Sequence, residues 1–234
     1  LTVACVYRTG GDYDARYVQK LLMGVRQNLS LPHRFVCLTD AAGEELDFLR
    51  DLPNMSILPL AYDWPGWWSK IELFCLEPPV LSLDLDTRVV GSIDPLGDWA
   101  MEKGEGFLML RGFYRSDACS GVMSWRMDMS WVMWTFADDF ALQGTFERNS
   151  LGVSMRCRRG AFRGDQEWIR STVPPRRGKL PGIVFAQDVM DGIYSYKVHI
   201  QGKATPPSPR LIIFHGRPRP HEVEDAPEIL GVRA

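Results

Sequence analysis

The sequence has no apolar run long enough to span a bilayer. It has almost no net charge, −2 over 234 residues, so no global field draws it toward nucleic acid or an anionic membrane. It has no CxxC pair: its five cysteines, Cys5, Cys37, Cys75, Cys119 and Cys157, are odd in number and scattered. Three of them, Cys5, Cys37 and Cys119, lie in apolar runs, which argues against zinc or a disulfide framework and for buried free thiols in a reducing compartment. The opening residues, "LTVACVY", carry neither a basic n-region nor a long h-region, so no signal peptide is expected there and the cytoplasm is the expected location. The sequence opens without Met, as a trimmed chain or a piece of a longer one would. No internal repeat is visible, and no linker divides the chain.

What is present is an ordinary globular composition, 45% hydrophobic and 24% charged. "TVACVY" is a β-branched run and reads as a first strand, followed by the Gly-rich turn "RTGGDYD". Val18, Leu21, Leu22, Val25 and Leu29 fall on one helix face, with Asp12 or Asp14 as its cap. "RFVCLTD" and "MSILPL" read as strands, and "SKIELFCL" as a short helix stopped by Pro78-Pro79. "VLSLDLD" has no polar face until its end, the mark of a central strand covered on both sides. This alternation predicts an α/β fold with a mixed, mainly parallel sheet flanked by helices. One domain over 1–234 is expected, with a first half, 1–98, ending at the paired aspartates and a second half, 99–234. In that second half "GFLMLRG", "CSGVMSW", "GIVFA" and "RLIIFH" read as strands. "DMSWVMWTFADDFAL" and "DQEWIRSTV" read as helices. The basic, Gly-containing "FERNSLGVSMRCRRGAFRG" reads as a long loop.

Asp84 and Asp86 end the apolar run. In open α/β sheets ligands bind beyond the carboxyl ends of the strands, and period-two alternation points both side chains the same way. Two carboxylates so close repel unless a positive charge separates them. Mg²⁺ or Mn²⁺ suits an all-oxygen pair and leaves coordination positions for substrate phosphates. Alternatively, one aspartate caps a turn and the other faces water. An EF-hand is excluded, because Arg88 and Val89 stand where that loop needs a ligand and a glycine.

"SLDLDTRVVGSIDPL" resembles the D-x-D region of nucleotide-sugar glycosyltransferases of the GT-A fold, and most of all those similar to family 8, the glycogenin and galactosyltransferase group. "VACVYRTGGDY", "WWSKIELF", "CSGVMSW", "GDQEWI" and "FHGRPRPHEV" are similar to further landmarks of that group and occur in the same order, from Val3 to about Val223. The resemblance implies a single GT-A domain, a metal-dependent, retaining glycosyltransferase, and a UDP-sugar donor with Mn²⁺ or Mg²⁺. The acceptor stays unidentified. By resemblance Asp84 and Asp86 hold the metal, with Asp84 near the ribose and His215 as third ligand. His215 departs from the group's pattern: aligning Gly216 with the family glycine leaves Ile213 where the histidine usually stands. Tyr7, Arg8, Tyr13 and Asp40 are placed at the base and ribose, with Tyr13 matching the stacking tyrosine. Lys70 belongs near the donor sugar or the metal carboxylates, unless it is an exposed helix charge. Ser120 and Gly121 line the sugar pocket. Arg217 and Arg219 reach the diphosphate, Arg219 at the group's lysine position. Asp165 and Gln166 match the catalytic D-Q pair at the donor sugar, although Asp165 also suits a helix cap.

Tyr62, Trp64, Trp67 and Trp68 offer rings for an acceptor sugar, with core packing expected for at least two. Arg156, Arg158, Arg159 and Arg163 suit either an acidic acceptor or a solvated loop. A sugar-phosphate nucleotidyltransferase would need a Lys-bearing Gly-rich loop after the first strand, and "YRTGGDY" has no lysine. A non-catalytic carbohydrate- or nucleotide-binding module of the same fold would be expected to lose Asp86 or the D-Q pair, and both are present.

Overall fold

The computed structural model describes residues 1–149, 152–173 and 182–223. Its centre is a seven-stranded sheet in the order β11-β6-β7-β4-β1-β2-β3. β1 (Thr2–Tyr7), β2 (Arg34–Thr39), β3 (Met55–Pro59) and β4 (Val80–Leu83) run parallel. β7 (Ala118–Trp125) lies antiparallel between β4 and β6 (Phe107–Arg111), and β11 (Ile183–Phe185) is parallel to β6. β5 (Thr87–Val89), β12 (Ile193–Ser195) and β13 (Leu211–Ile213) form a second small sheet. The mixed, mainly parallel sheet is the one the sequence predicts.

Burial explains the central strand. All four residues of β4 are buried, and alternation sends Leu81 and Leu83 to one core and Val80 to the other. The first core lies under helix α1 (Ala15–Asn28), whose buried face is Val18, Leu21, Leu22 and Val25. Asp14, not Asp12, caps that helix by accepting from the Arg16 amide at 3.0 Å. The second core lies under a 3₁₀ segment, Gly66–Cys75. Helices α2 (Gly43–Arg50) and α3 (Asp94–Met101) were not foreseen. Helices α4 (Ser130–Gln143) and α5 (Asp165–Thr172) follow the sequence reading, and α6 (Ala186–Val189) is a single turn.

Two expectations change. "SKIELFCL" is the latter part of the ten-residue 3₁₀ run, in which residues three apart eclipse one another. The expected loop over 146–164 is largely a third antiparallel sheet, β8 (Thr145–Asn149), β9 (Gly152–Cys157) and β10 (Gly160–Phe162). Its reason is period-two burial: Val153, Met155 and Cys157 are buried while Arg156 is exposed. Ser150 and Leu151 of that stretch lie outside the described residues. Among the described residues no helix is long and apolar enough to cross a membrane.

Candidate active site

Beyond the carboxyl end of β4 lies a cavity of about 770 Å³. Four segments wall it: Asp84 and Asp86 after β4, Gly112–Asp117 between β6 and β7, Gly164–Glu167 at the start of α5, and Ile213–Arg219 after β13. The 3₁₀ segment contributes Lys70 and Trp67.

Lys70 is buried rather than an exposed helix charge. Its Nζ lies 2.7 Å from Asp84 Oδ1 and 3.4 Å from Asp165 Oδ2. It also donates to Asp84 Oδ2 at 2.9 Å and to Ser120 Oγ at 3.1 Å. Burial disfavours the ammonium, but the charges of Asp165 and then Asp84 outweigh it and hold the Lys70 pKa above its ordinary value. Burial pushes Asp84 up against the pull of Lys70. Asp165 Oδ2 is buried with no hydrogen-bond partner, facing the lysine without bonding to it. Gly121 lies beside this corner, where a Cβ would make ordinary contact with Asp84 Oδ2 at 3.7 Å.

Asp86 has different company. Tyr13 OH donates to its Oδ2 at 2.8 Å, and Arg219 Nη1 lies 3.6 Å from the same oxygen. Arg219 donates to Tyr13 OH at 2.6 Å, pairs with Asp12 Oδ2 at 2.8 Å and stacks over the Tyr13 ring at 5.1 Å. Burial, then the charge of Asp84, pushes the Asp86 carboxyl up to about 7. The Tyr13 hydroxyl is also raised, by burial and then by Asp86. The segment carrying Arg219 is held further by Tyr17 OH and His221 Nδ1, 2.6 Å apart.

His215 lines the cavity, with Nε2 2.7 Å from Ser195 Oγ and its ring stacked on Phe113 at 5.7 Å. Burial and the charges of Lys197 and His199 lower its pKa. Among the described residues no three His, Cys, Asp or Glu side chains gather to hold a metal. The pair Asp84 and Asp86 nonetheless fits a divalent cation. Both are oxygen donors on one cavity, and the charge of Asp84, which adds to burial in raising the Asp86 carboxyl, is a repulsion that a cation would relieve.

The other expected residues divide. Ser120, Gly121, Asp165, Gln166, Gly216 and Arg219 line the cavity, and Gly216 needs its glycine for a φ of +72°. Tyr7 is buried and donates to Glu45 Oε1 at 2.7 Å. Arg8 pairs with Asp40 at 3.2 Å and with Asp63, and Asp40 accepts from the Thr9 amide at 2.8 Å. Tyr7, Arg8, Tyr13, Asp40 and Arg217 stand outside the cavity lining, Tyr13 reaching its edge only through its bond to Asp86. Arg217 pairs with Glu222. Of the aromatic cluster, Trp64 and Trp68 are core residues and Tyr62 stacks on Trp64 at 4.3 Å, while Trp67 lines the cavity. Of the basic stretch, Arg156 pairs with Glu147 at 3.5 Å and Arg159 with Asp139 at 3.2 Å, whereas Arg163 reaches the cavity.

No protein-family model and no curated protein sequence matches the chain. Solved structures do match. The galactosyltransferase LgtC, crystallised with donor and acceptor sugar analogues, aligns at 12% identity with a TM-score of 0.62, covering 94% of this chain and 89% of that one. An active-site variant of LgtC, with Gln replaced by Glu, aligns with the same score of 0.62. The glycosyltransferase GlyE of Streptococcus pneumoniae aligns at 13% identity with a TM-score of 0.58, covering 94% of this chain and 55% of that one. The chain has the GT-A fold. Within that GT-A frame, sequence reasoning missed Phe113, Tyr114 and Arg115, a cavity wall in the loop "GFYRSD". It also missed Arg170, on α5, which pairs with Asp117 at 3.2 Å. None carried a signal, because isolated loop aromatics and helix arginines are common on any surface. Asp12 was read as a possible helix cap and instead anchors Arg219.

Proposed function

We propose that this chain is a metal-dependent, retaining glycosyltransferase that takes a sugar from a UDP-sugar. The observation that carries the reading is the single ammonium of Lys70, shared by Asp84 of the D-x-D pair and Asp165 of the D-Q pair within one cavity. It ties a carboxylate suited to a metal to one suited to sugar hydroxyls. LgtC, of the same fold, was crystallised with donor and acceptor sugar analogues.

Asp84 and Asp86 hold Mn²⁺ or Mg²⁺, which when bound offsets the diphosphate charge and stabilises the departing phosphate. Arg219 presents a planar fork of donors to the diphosphate. In the free site it lies 3.6 Å from Asp86, and a bound diphosphate would compete for it. Tyr13 meets the base, and Arg8 with Asp40 meets the base or ribose from beyond the cavity lining. Lys70 fixes the Asp84 carboxylate and the orientation of Asp165. Asp165, whose Oδ2 is turned to Lys70, accepts from sugar hydroxyls through its other carboxylate oxygen, and Ser120 and Gly121 line the sugar pocket. Gln166 is a poor nucleophile, so it polarises the anomeric face while the leaving phosphate assists attack from that side, with retention of configuration. A glutamine is also the altered active-site residue of the LgtC variant. His215, committed through Nε2 to Ser195, walls the sugar side unless it gives up that bond to reach the metal. The five free thiols support a reducing, cytoplasmic setting.

The test is release of UDP from UDP-glucose and UDP-galactose with and without Mn²⁺. Mn²⁺-dependent release is expected. Stabilisation by UDP and Mn²⁺ without release of either sugar would leave a binding module instead of an enzyme.

A further inference from the structure

Trp67 and Trp68 are neighbours in sequence and opposite in situation. Trp68 is fully buried and its Nε1 donates to the Val153 carbonyl at 2.8 Å. Trp67 is 38% exposed, lines the cavity, and has no acceptor for its Nε1 among the described residues. The 3₁₀ geometry brings residues three apart onto the same side, so the indole of Trp67 stands on the face that carries Lys70.

Two glycines make room for that indole. A Cβ on Gly152, whose φ is +128°, would lie 1.9 Å from Trp67 Cη2. A Cβ on Gly164 would lie 3.4 Å from Trp67 Nε1. Gly164 directly precedes Asp165 and Gln166, so the ring is bedded against the turn that delivers the D-Q pair. A large apolar ring held on one side and left open to a polar cavity on the other is a stacking platform.

We propose that Trp67 is the acceptor platform, and that the acceptor is a saccharide whose pyranose ring lays its C–H face on the indole. This rests on the glycosyltransferase reading and names the substrate class of the same site. A pyranose suits the place because its apolar face covers the ring while its edge hydroxyls meet Nε1 and the polar groups of the cavity. A nucleobase would also stack on an indole, but Tyr13, assigned to the base, lies with Arg219 and Asp86 in a separate group of contacts that does not include Trp67.

The experiment compares wild type, Trp67→Phe and Trp67→Leu. Leucine keeps apolar bulk against the glycines and removes the π face, and thermal melting checks that both variants fold. Lactose and cellobiose are titrated into each protein with UDP and Mn²⁺ present, read by saturation-transfer NMR on the sugar C–H protons. At least one disaccharide should bind wild type. Its Kd should rise about tenfold in Trp67→Leu and only about two- to threefold in Trp67→Phe. Equal affinity in all three proteins, equal losses in both variants, or no binding of either disaccharide to wild type overturns the proposal. A loss of UDP affinity in Trp67→Leu as large as the saccharide loss assigns the ring to the base and overturns it too. UDP release is measured on wild type in parallel. If no UDP is released while the Phe–Leu split in saccharide binding is present, the enzyme reading fails and the platform stands.

Discussion

Asp84 and Asp86 are the same residue two positions apart, yet the chain treats them in opposite ways. Asp84 faces Lys70, whose ammonium is buried with Ser120 and Asp165 while the Asp84 carboxylate itself stays partly exposed. Asp86 faces Tyr13 and Arg219, groups brought from loops at the two ends of the described chain. The first arrangement is fixed by core packing of the 3₁₀ segment. The second is held by side chains that a ligand can displace. A D-x-D pair so placed is one anchored carboxylate and one available carboxylate. Burial raises both carboxyls, Asp84 against the pull of Lys70 and Asp86 with the charge of Asp84 added.

The largest effect should come from the available member. If Asp86 is the metal ligand proposed above, Asp86→Asn should lower Mn²⁺-dependent UDP release by about 10²- to 10³-fold, on the scale of losing one transition-state electrostatic contact. Unchanged release at saturating donor would break the contrast. Next is the anchor. Lys70→Met keeps the stem and leaves Asp165 as an unpaired buried carboxylate beside a partly exposed Asp84, which should cost about 3–5 kcal/mol by urea denaturation. A third comparison sets the aspartates directly against each other. Asp84→Asn weakens a buried ion pair and should destabilise by about 1–3 kcal/mol. Asp86→Asn relieves repulsion and should leave the metal-free midpoint unchanged or raised. If both variants lower it equally, the two sites are not different in kind.

The smallest effect is on pH. The folded Asp86 carboxyl titrates near about 7, above the roughly 3.9 of an unfolded aspartate. The proton therefore favours the folded state. That stability is fully present below about pH 4 and is lost as pH rises through about 7. The raised Asp84 carboxyl acts in the same direction. Calorimetry in a chelator should show the melting temperature falling over this window, and Asp86→Asn should flatten the fall.

The D-x-D strand was legible because a run buried on both faces leaves few readings open, and "VLSLDLD" fits a central strand. Lys70 was not decidable, since burying a lysine depends on carboxylates 14 and 95 positions away, at Asp84 and Asp165. The sheet of β8, β9 and β10 was misread because its arginines and glycines were weighted over the alternation of Val153, Met155 and Cys157. That alternation was in the sequence; the partner strands that give it meaning were not obvious. Trp64, Trp67 and Trp68 looked equivalent, because composition cannot tell which ring meets a core and which meets Gly152 and Gly164.

Arg219 and Tyr13 touch although they stand 206 positions apart in the chain. A growing chain has made β1, the 3₁₀ segment and both aspartates long before Arg219 exists. Closing so wide a loop adds an entropic cost that is met only when the packed sheet already holds its ends near each other. The Arg219 end of the cavity is therefore a late product of synthesis, completed after the core has set. A nascent or truncated chain lacking the "GRPRP" segment would present Asp86 without the arginine that neighbours it.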